Sequence, residues 1–161
     1  MSVRIGSGLD VHPFGDDAER PLVLGGVVVP GAPGLAGHSD ADVVAHAVTD
    51  ALLGAVAGGD LGSRFGVDDP ATAGADSLDL LRTVVGELHA DGWEVGNVDC
   101  TVVAQRPRLA GHRAAMRGRL AAVLAVAEEQ VSVKFTTTDR LGSVGRGEGI
   151  ACWASVLVTR P

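Results

Sequence analysis

Residues 37–59 read GHSDADVVAHAVTDALLGAVAGG, and this stretch joins a helix signal to side chains that can bind a metal. Ser39 followed three residues later by Asp42 is typical of a helix start, and Gly58-Gly59 is typical of a helix end. The sequence therefore predicts a helix from about Asp40 to about Ala57, and the rest of the chain is best interpreted around it.

The predicted helix has an apolar face and a polar face. Asp42, His46 and Asp50 recur at every fourth position and form the polar stripe. A solvated surface is the usual interpretation of such a stripe, but no Lys or Arg lies between Arg20 and Arg64 to offset the acids. A bound cation would neutralise them, and a histidine with carboxylates suits a divalent transition metal. The apolar face carries Val44, Val48, Ala51 and Ala55.

Composition favours one compact unit, a single domain over residues 1–161. Of its 161 residues 46% are hydrophobic and 20% are charged, which suffices to bury a core. The net charge is −7, and Lys134 is the only lysine, so no basic surface indicates a nucleic-acid partner.

Cysteine usage and the absence of leader and membrane signals favour the cytoplasm. Cys100 and Cys152 fall in alternating apolar runs, which is typical of buried reduced thiols rather than of a disulfide framework. The N-terminus has no leader pattern, and no segment reaches a membrane-spanning length. We therefore expect no membrane partner.

The first strand leads into Asp10-Val11-His12. The apolar alternation from Val3 to Leu9 predicts a strand, which the small residues Gly6-Ser7-Gly8 interrupt. Asp10 and His12 are expected to point to one side while Val11 faces the core. Polar side chains at a strand end in water are the alternative, so the value of this pair depends on what it meets in space.

The other segments alternate between strand and helix patterns. They predict an α/β plait, with one sheet covered by helices. The predicted elements are a hairpin at 21–30 around Gly25-Gly26, an irregular stretch at 60–75, helices at 76–90 and 111–126, and strands at 95–104, 131–135 and 150–158.

Residues 136–149, TTTDRLGSVGRGEG, form a second segment of interest. Three threonines, two arginines and four glycines can supply the hydroxyl, guanidinium and accessible amide groups that hold phosphate oxygens. A glycine-rich loop between two strands is an equally good interpretation. This segment alone leaves both open.

Several motifs occur together in a definite order, from about Val3 to Val158. Together they resemble the 2-C-methyl-D-erythritol 2,4-cyclodiphosphate synthase family. The motifs are GLDVHPFG (8–15), HSDADVVAHAVTDALLGA (38–55), DLG (60–62), NVD (97–99), AQRPR (104–108), KFTTTD (134–139) and GRGEGIAC (145–152).

The resemblance implies a homotrimer with active sites between neighbouring subunits, acting in the non-mevalonate route to isoprenoids. It implies one zinc ion per chain, with Asp10, His12 and His46 as ligands. A second divalent cation, magnesium or manganese, would be held by Asp139. His38 and Thr137 match transition-state stabilisers, and Asp50 is a candidate partner that orients a metal ligand.

The resemblance also implies a pocket for a cytidine diphosphate substrate. Asp60 to Gly62 match the segment that holds the methylerythritol part. The predicted substrate-binding residues are His38, Ser39, Asp60, Leu61, Gly62, Phe65, Asp69, Ala104, Gln105, Arg106, Pro107, Arg108, Leu109, Ala110, Thr136, Thr137, Thr138, Asp139, Ser143 and Arg146.

The sequence departs from the family pattern in three places. Phe65-Gly66-Val67-Asp68-Asp69 stands where Phe-Pro-Asp-Thr-Asp is frequent, Ser143 stands where an aromatic residue is frequent, and Asp139 stands where Glu is frequent. They bear on the substrate loop, on the centre of the trimer and on the second cation.

The implied reaction is an intramolecular phosphoryl transfer that closes a cyclic diphosphate and releases cytidine monophosphate. A zinc-dependent phosphohydrolase acting on a nucleotide diphosphate is the alternative enzyme, since an open zinc site usually activates water. A trimeric protein that binds isoprenoid diphosphates without turnover is the alternative from another class.

Overall fold

The computed structural model describes residues 1–66 and 73–161. The strands are β1 (Ser2–Pro13), β2 (Pro21–Leu24), β3 (Val27–Pro33), β4 (Glu94–Val103), β5 (Val131–Thr136) and β6 (Gly149–Arg160). The helices are α1 (Val43–Ala55), α2 (Leu61–Phe65), α3 (Ser77–Ala90), α4 (Arg113–Leu124) and the single turn α5 (Gly142–Gly145), with 3-10 turns at Ala110–His112 and Glu128–Gln130.

A four-stranded sheet of order β1-β6-β4-β5 forms the centre of the fold. Strand β6 pairs antiparallel with both β1 and β4, and β4 pairs parallel with β5. Helix α1 lies against β1 and β6, α4 lies against β5, and α3 contacts α1 and α4. The expected mixed architecture, a sheet flanked by helices, is confirmed, and the hairpin β2-β3 forms a separate two-stranded sheet.

Helix α1 begins at Val43, a few residues after the predicted start, because Asp42 and not Ser39 is its N-cap. The Asp42 carboxylate accepts hydrogen bonds from the amides of Val44 and Ala45 and from those of Gly25 and Gly26 in the hairpin. Its side chain is fully buried. Burial raises the pKa of Asp42 to about 6, although these amide hydrogen bonds oppose the shift. Asp42 therefore joins α1 to the hairpin and does not belong to an exposed polar stripe.

The predicted helix at 76–90 is confirmed as α3, with Asp76 as its N-cap. The stretch 60–75 was expected to be irregular, but α2 begins it. Asp60 and Ser63 form a capping box there, in which each side chain accepts a hydrogen bond from the other's backbone amide. The short length of α2 leaves no apolar periodicity from which to predict it.

The face of the sheet opposite the helices is open in the single chain. Val11 is 53% exposed, so the expectation that it faces the core is wrong. Four further large apolar residues of this open face are more than half exposed: Val3, Ile5, Leu9 and Trp153. Cys100 and Cys152 point to the helix-covered side and are buried free thiols, as expected. None of the described helices is long and apolar enough to cross a membrane.

Candidate metal centre and substrate pocket

The end of β1 presents Asp10 and His12 on the helix-covered side of the sheet. Gly6 and Gly8 precede them at alternate positions, which face the same way. A Cβ atom at Gly8 would overlap the carbonyl oxygen of Ala47, and one at Gly6 would overlap the next turn of α1. The glycines that seemed to interrupt the strand therefore allow α1 to lie directly on β1.

His46 reaches the same point from α1. Its Nδ1 lies 3.0 Å from Asp10 Oδ2 and 3.3 Å from His12 Nε2, which is itself 3.0 Å from that carboxylate oxygen. Among the residues that the structure describes, this trio is the one cluster of His, Cys, Asp or Glu side chains close enough to share a metal ion. The predicted zinc ligands are thus brought together.

Each imidazole makes a hydrogen bond through the ring nitrogen that faces away from the trio. The nitrogens that face the trio, His12 Nε2 and His46 Nδ1, are therefore left as acceptors when the rings are neutral. His12 Nδ1 lies 2.7 Å from the Ala36 carbonyl oxygen and donates to it, so a neutral ring keeps its lone pair on Nε2. His46 Nε2 lies 2.8 Å from Ser77 Oγ, whose own proton is donated to the Asp40 carboxylate. His46 must then donate from Nε2 and keep its lone pair on Nδ1.

Two imidazole lone pairs and a carboxylate oxygen, 3.0–3.3 Å apart, repel one another unless a positive charge lies between them. Ligand atoms about 2.0–2.1 Å from a tetrahedral zinc ion lie roughly 3.3 Å from each other. The observed separations match that geometry closely. The donor set fits zinc and leaves a fourth coordination position open.

The pKa values show the same demand for positive charge. Burial alone would raise the pKa of Asp10, but the neighbouring imidazoles of His12 and His46 outweigh it and lower the pKa well below the usual range. The hydrogen bond to Asp10 raises the pKa of His12 above 6.5, although burial and the charge of Arg20 oppose the shift. In the metal-free chain, a proton on His12 takes the place of the cation.

A cavity of about 410 Å³ opens directly onto this trio. The predicted substrate-binding residues that line it are His38, Ser39, Leu61, Gly62 and Phe65. Asp50, which was predicted to orient a metal ligand, lines it as well. Gly37, Gly66 and Leu80 also line it but were not predicted. Leu80 looks like any other apolar position of α3, so its sequence context carries no functional signal.

Two acidic residues near the cavity have structural partners. Asp50 Oδ1 accepts a hydrogen bond of 2.7 Å from the Leu61 amide at the start of α2, and its expected role of orienting a metal ligand stays a prediction. Burial raises its pKa against the effect of that amide. Asp60 caps α2 by accepting from the Ser63 amide and does not line the cavity. The predicted Asp69 lies outside the described residues.

The other predicted residues form a second group, where the loops after β4 and β5 meet. The Ala104 amide donates to the Thr136 carbonyl oxygen at 3.0 Å, and the Arg140 amide donates to Gln105 Oε1 at 3.1 Å. Arg106 lies beside Gly147. The segments 104–110 and 136–139 therefore adjoin as expected. Within them, the side chains of Ala104 and Leu109 are buried in the core, so these two residues offer only backbone groups to a ligand.

Asp139 lies in a tight turn of this second group. Its backbone is left-handed at φ 52°, its amide donates to Thr137 Oγ1 at 3.2 Å, and Thr137 Oγ1 donates to its carboxylate at 3.4 Å. Nearby, Ser143 lies in the turn α5, and Arg146 pairs with Glu148 at 2.5 Å. Asp139 is exposed, which leaves its carboxylate accessible to a cation.

The two groups lie on opposite edges of one sheet. The metal trio is at the end of β1, and Thr136 ends β5, which is three strand positions away at the same end of the sheet. Three strand spacings amount to about 14 Å. Thr137 and the trio therefore do not share one cavity within a single chain.

The model of the YgbB family matches residues 3–159, which is nearly the whole chain. The chain belongs to the YgbB family. Among curated proteins, the 2-C-methyl-D-erythritol 2,4-cyclodiphosphate synthase of Cyanothece sp. is 54% identical over 159 residues, with 98% of each protein covered.

Solved structures agree with the assignment to the YgbB family. The bifunctional IspDF from Campylobacter jejuni superposes with a TM-score of 0.94 and 40% identity, covering 99% of this chain and 43% of that longer one. The IspF of Plasmodium falciparum, in a complex with CDP, superposes with a TM-score of 0.86 at 33% identity, covering 99% of this chain and 97% of that one. The family resemblance inferred from the motifs is confirmed.

Proposed function

We propose that this chain catalyses the cyclodiphosphate synthase reaction of isoprenoid biosynthesis. It converts 4-diphosphocytidyl-2-C-methyl-D-erythritol 2-phosphate into 2-C-methyl-D-erythritol 2,4-cyclodiphosphate and cytidine monophosphate, and so acts as a phosphorus-oxygen lyase. Curated relatives that match almost end to end carry this activity in their names. The structural observation that carries the proposal is the convergence of Asp10, His12 and His46 at the mouth of the cavity.

The reaction is a displacement within one molecule. An oxygen of the 2-phosphate attacks the β-phosphorus, the bond from that phosphorus to the bridging oxygen breaks, and the bridging oxygen leaves on cytidine monophosphate. No water is consumed. Because phosphoryl transfer needs in-line positioning and charge neutralisation more than a strong base, the site must mainly orient and stabilise.

Each part of the cavity supports one of these tasks. Asp10, His12 and His46 would hold the zinc ion, which when bound supplies Lewis-acid stabilisation of charge on the β-phosphate. His38 lies at the cavity wall and would donate a hydrogen bond to a phosphate oxygen. Leu61, Gly62 and Phe65 form an apolar wall with accessible backbone, suited to the methylerythritol part.

The second group supports recognition of the cytidine diphosphate part. Segments 104–110 and 136–139 offer backbone groups, threonine hydroxyls and the Arg106 guanidinium on one surface. Asp139 would anchor the second cation, since magnesium is often held by one or two carboxylates together with substrate phosphate. Manganese has similar ligand preferences.

Assembly as a homotrimer with shared sites would unite the two groups. A catalytic Thr137 has to lie within hydrogen-bond distance of the reacting phosphate, but about 14 Å separates it from the trio within one chain. The open sheet face, with Ile5, Leu9 and Trp153 more than half exposed, supplies an apolar surface for a second copy. A neighbouring subunit could then bring its 136–139 segment to this cavity.

Product analysis tests the reaction. Incubation with the phosphorylated cytidyl substrate, zinc and magnesium should give phosphorus NMR signals of a cyclic diphosphate and of cytidine monophosphate in equal amounts. In water enriched in oxygen-18, neither product should acquire the label. Label in the product phosphate would establish the phosphohydrolase alternative, and binding without any product would establish the non-catalytic one.

A further inference from the structure

We infer that Ser77 and Asp40 are positioning residues for the metal site, because they fix the tautomer and the orientation of His46. The inference rests on the metal site proposed above and extends it to residues with no part in substrate contact. Ser77 is the first residue of α3. It lies beside His46 Nε2, the ring nitrogen that faces away from Asp10 and His12. It is fully buried.

The Asp40 carboxylate is surrounded by hydrogen-bond donors. Its Oδ1 accepts from the Ser77 hydroxyl and from the Asp42 amide at 3.1 Å, and its Oδ2 accepts from the Ser77 amide at 3.1 Å. A carboxylate held this way can only accept. The proton of the Ser77 hydroxyl is therefore committed to Asp40.

The remaining capacity of Ser77 Oγ is then as an acceptor. It lies 2.8 Å from His46 Nε2 and 3.2 Å from Ser39 Oγ. Ser39 Oγ accepts from the Ala41 amide at 3.2 Å and also lies 3.1 Å from His46 Nε2, so its own proton goes to Ser77 when Nε2 is protonated. A hydroxyl oxygen has one proton and two lone pairs, so Asp40, a protonated His46 Nε2 and Ser39 together satisfy Ser77 completely.

This arrangement determines which imidazole nitrogen binds the metal. His46 Nε2 must carry the proton, and Nδ1 must present its lone pair to the position between Asp10 and His12. The opposite tautomer would place an unprotonated Nε2 2.8 Å from the Ser77 oxygen, which has no proton to give it, and would leave only the longer 3.1 Å contact with Ser39 Oγ to supply one. Partners of this kind on the far side of a ligand typically contribute roughly 10- to 100-fold to metal affinity.

The network also joins the metal site to the segment that contains Gly74 and Ala75. The Gly74 amide donates to the His38 carbonyl oxygen at 2.8 Å, and the Asp40 amide donates to the Ala75 carbonyl oxygen at 3.0 Å. The same short segment, 38–40, thus carries the cavity residue His38 and the carboxylate that orients Ser77. Metal geometry and the placement of His38 are mechanically linked.

The test is metal affinity in the absence of substrate. For the purified full chain, zinc affinity is measured by competition with a chromophoric chelator, and the cobalt-substituted protein gives a visible spectrum that reports ligand geometry. Ser77→Ala should weaken zinc binding by roughly 10- to 100-fold and change the cobalt spectrum. Ser77→Thr retains the hydroxyl and should restore both properties most of the way to wild type.

Asp76→Ala is the matched control at the neighbouring position. Asp76 caps the same helix through the Leu78 amide but does not contact His46. It should lower the melting temperature and leave zinc affinity and the cobalt spectrum as in wild type. Should Ser77→Ala fail to fold, Asp40→Asn provides the second variant, since it preserves size but offers donors where Ser77 needs an acceptor, and it too should weaken zinc binding.

The possible results separate this inference from the proposed function. Wild-type zinc affinity and an unchanged cobalt spectrum in Ser77→Ala, or in Asp40→Asn where the first variant does not fold, would overturn the positioning role alone. A wild-type chain without measurable zinc affinity would overturn the metal site itself. A ring-nitrogen NMR spectrum of the zinc-loaded protein with the His46 proton on Nδ1 would also overturn the inference.

Discussion

At the level of single residues, protons and a metal ion compete for His12. The hydrogen bond to Asp10 raises the pKa of His12 above 6.5, so the metal-free fold favours the protonated ring. A metal ion requires the neutral ring. The carboxylate of Asp10, whose pKa is lowered, stays ionised throughout and does not add to the competition.

We therefore predict that zinc binding weakens as pH falls through the raised pKa of His12, by up to about tenfold per pH unit for one displaced proton. Without metal, the stability contributed by protonated His12 is fully present below pH 6.5 and is lost as pH rises through the raised pKa. The increase in melting temperature that zinc produces should thus grow from pH 6 to pH 8. Melting curves with and without zinc measure it. A constant increase over that range would contradict the assignment of His12.

Asp139 gives a second prediction at the level of one residue. If its exposed carboxylate anchors the second cation, Asp139→Ala should raise the magnesium concentration needed for half-maximal turnover, and zinc content should not change. Asp139→Glu should remain active, and the exposed turn residue Asp91, changed to Ala, serves as control. Wild-type turnover and magnesium dependence in Asp139→Ala would assign the cation to other groups.

At the level of elements, the packing of α1 on β1 builds the metal site. The contact depends on the missing side chains of Gly6 and Gly8, because a Cβ at either position meets backbone atoms of the helix. Backbone atoms cannot move aside as a flexible side chain can. A small displacement of α1 would carry His46 away from Asp10 and His12.

We predict that Gly8→Ala lowers the free energy of unfolding by about 1–3 kcal/mol, as overpacking typically does, and also weakens zinc binding. Gly86→Ala is the matched control, since that glycine lies within α3 and a Cβ there has no atom within 4 Å. It should stabilise the chain by about 0.5–1 kcal/mol and leave zinc binding unchanged. Chemical denaturation and zinc titration of both variants provide the comparison. Normal zinc affinity in a folded Gly8→Ala protein would show that the contact does not position His46.

The junction between α1 and the hairpin gives another prediction. Asp42→Ala would leave the buried amides of Gly25, Gly26, Val44 and Ala45 without their acceptor. We expect a loss of about 2–4 kcal/mol in the free energy of unfolding at pH 7. Asp76→Ala, which removes a cap with one amide partner, should cost about 1 kcal/mol. Equal losses in urea titrations of the two variants would argue against the special role of Asp42.

At the level of the whole molecule, the proposed trimer explains why the metal trio and the second group of predicted residues lie apart in each chain. In solution, the particle mass should be three times the 16.3 kDa of the chain. Ile5→Lys, on the open sheet face, should reduce that mass, whereas Val28→Lys in the exposed hairpin should not. Light scattering after size exclusion measures both.

Mixed assembly tests the shared site directly. His46→Ala and Thr137→Ala should each be inactive alone but recover part of the activity when chains are unfolded and refolded together. Some mixed sites would then receive His46 from one subunit and Thr137 from another. Full activity of a monomer, or no recovery in mixed trimers, would refute the shared site. Location in the cytoplasm stays a prediction from the sequence.

The sequence by itself determined the local elements and the chemistry of the ligands. The spacing of Leu78, Leu81, Val85 and Leu88 predicts α3 because helical periodicity is a property of neighbouring residues. The alternation in β4 and β6 predicts strands for the same reason. Asp10, His12 and His46 were identified from side-chain type and from the order of the family motifs, both of which are written in the chain.

Tertiary structure alone decided how these parts meet. Periodicity does not specify strand order, so only the pairing of β1 with β6 shows that Val11 faces outward and Asp10 faces α1. Gly6 and Gly8 looked like interruptions until the helix backbone was found against them. Ser77 looked like an ordinary residue of a helix start, 31 positions from His46. Contacts over such separations depend on the packing of the whole chain, and local sequence signals do not encode them.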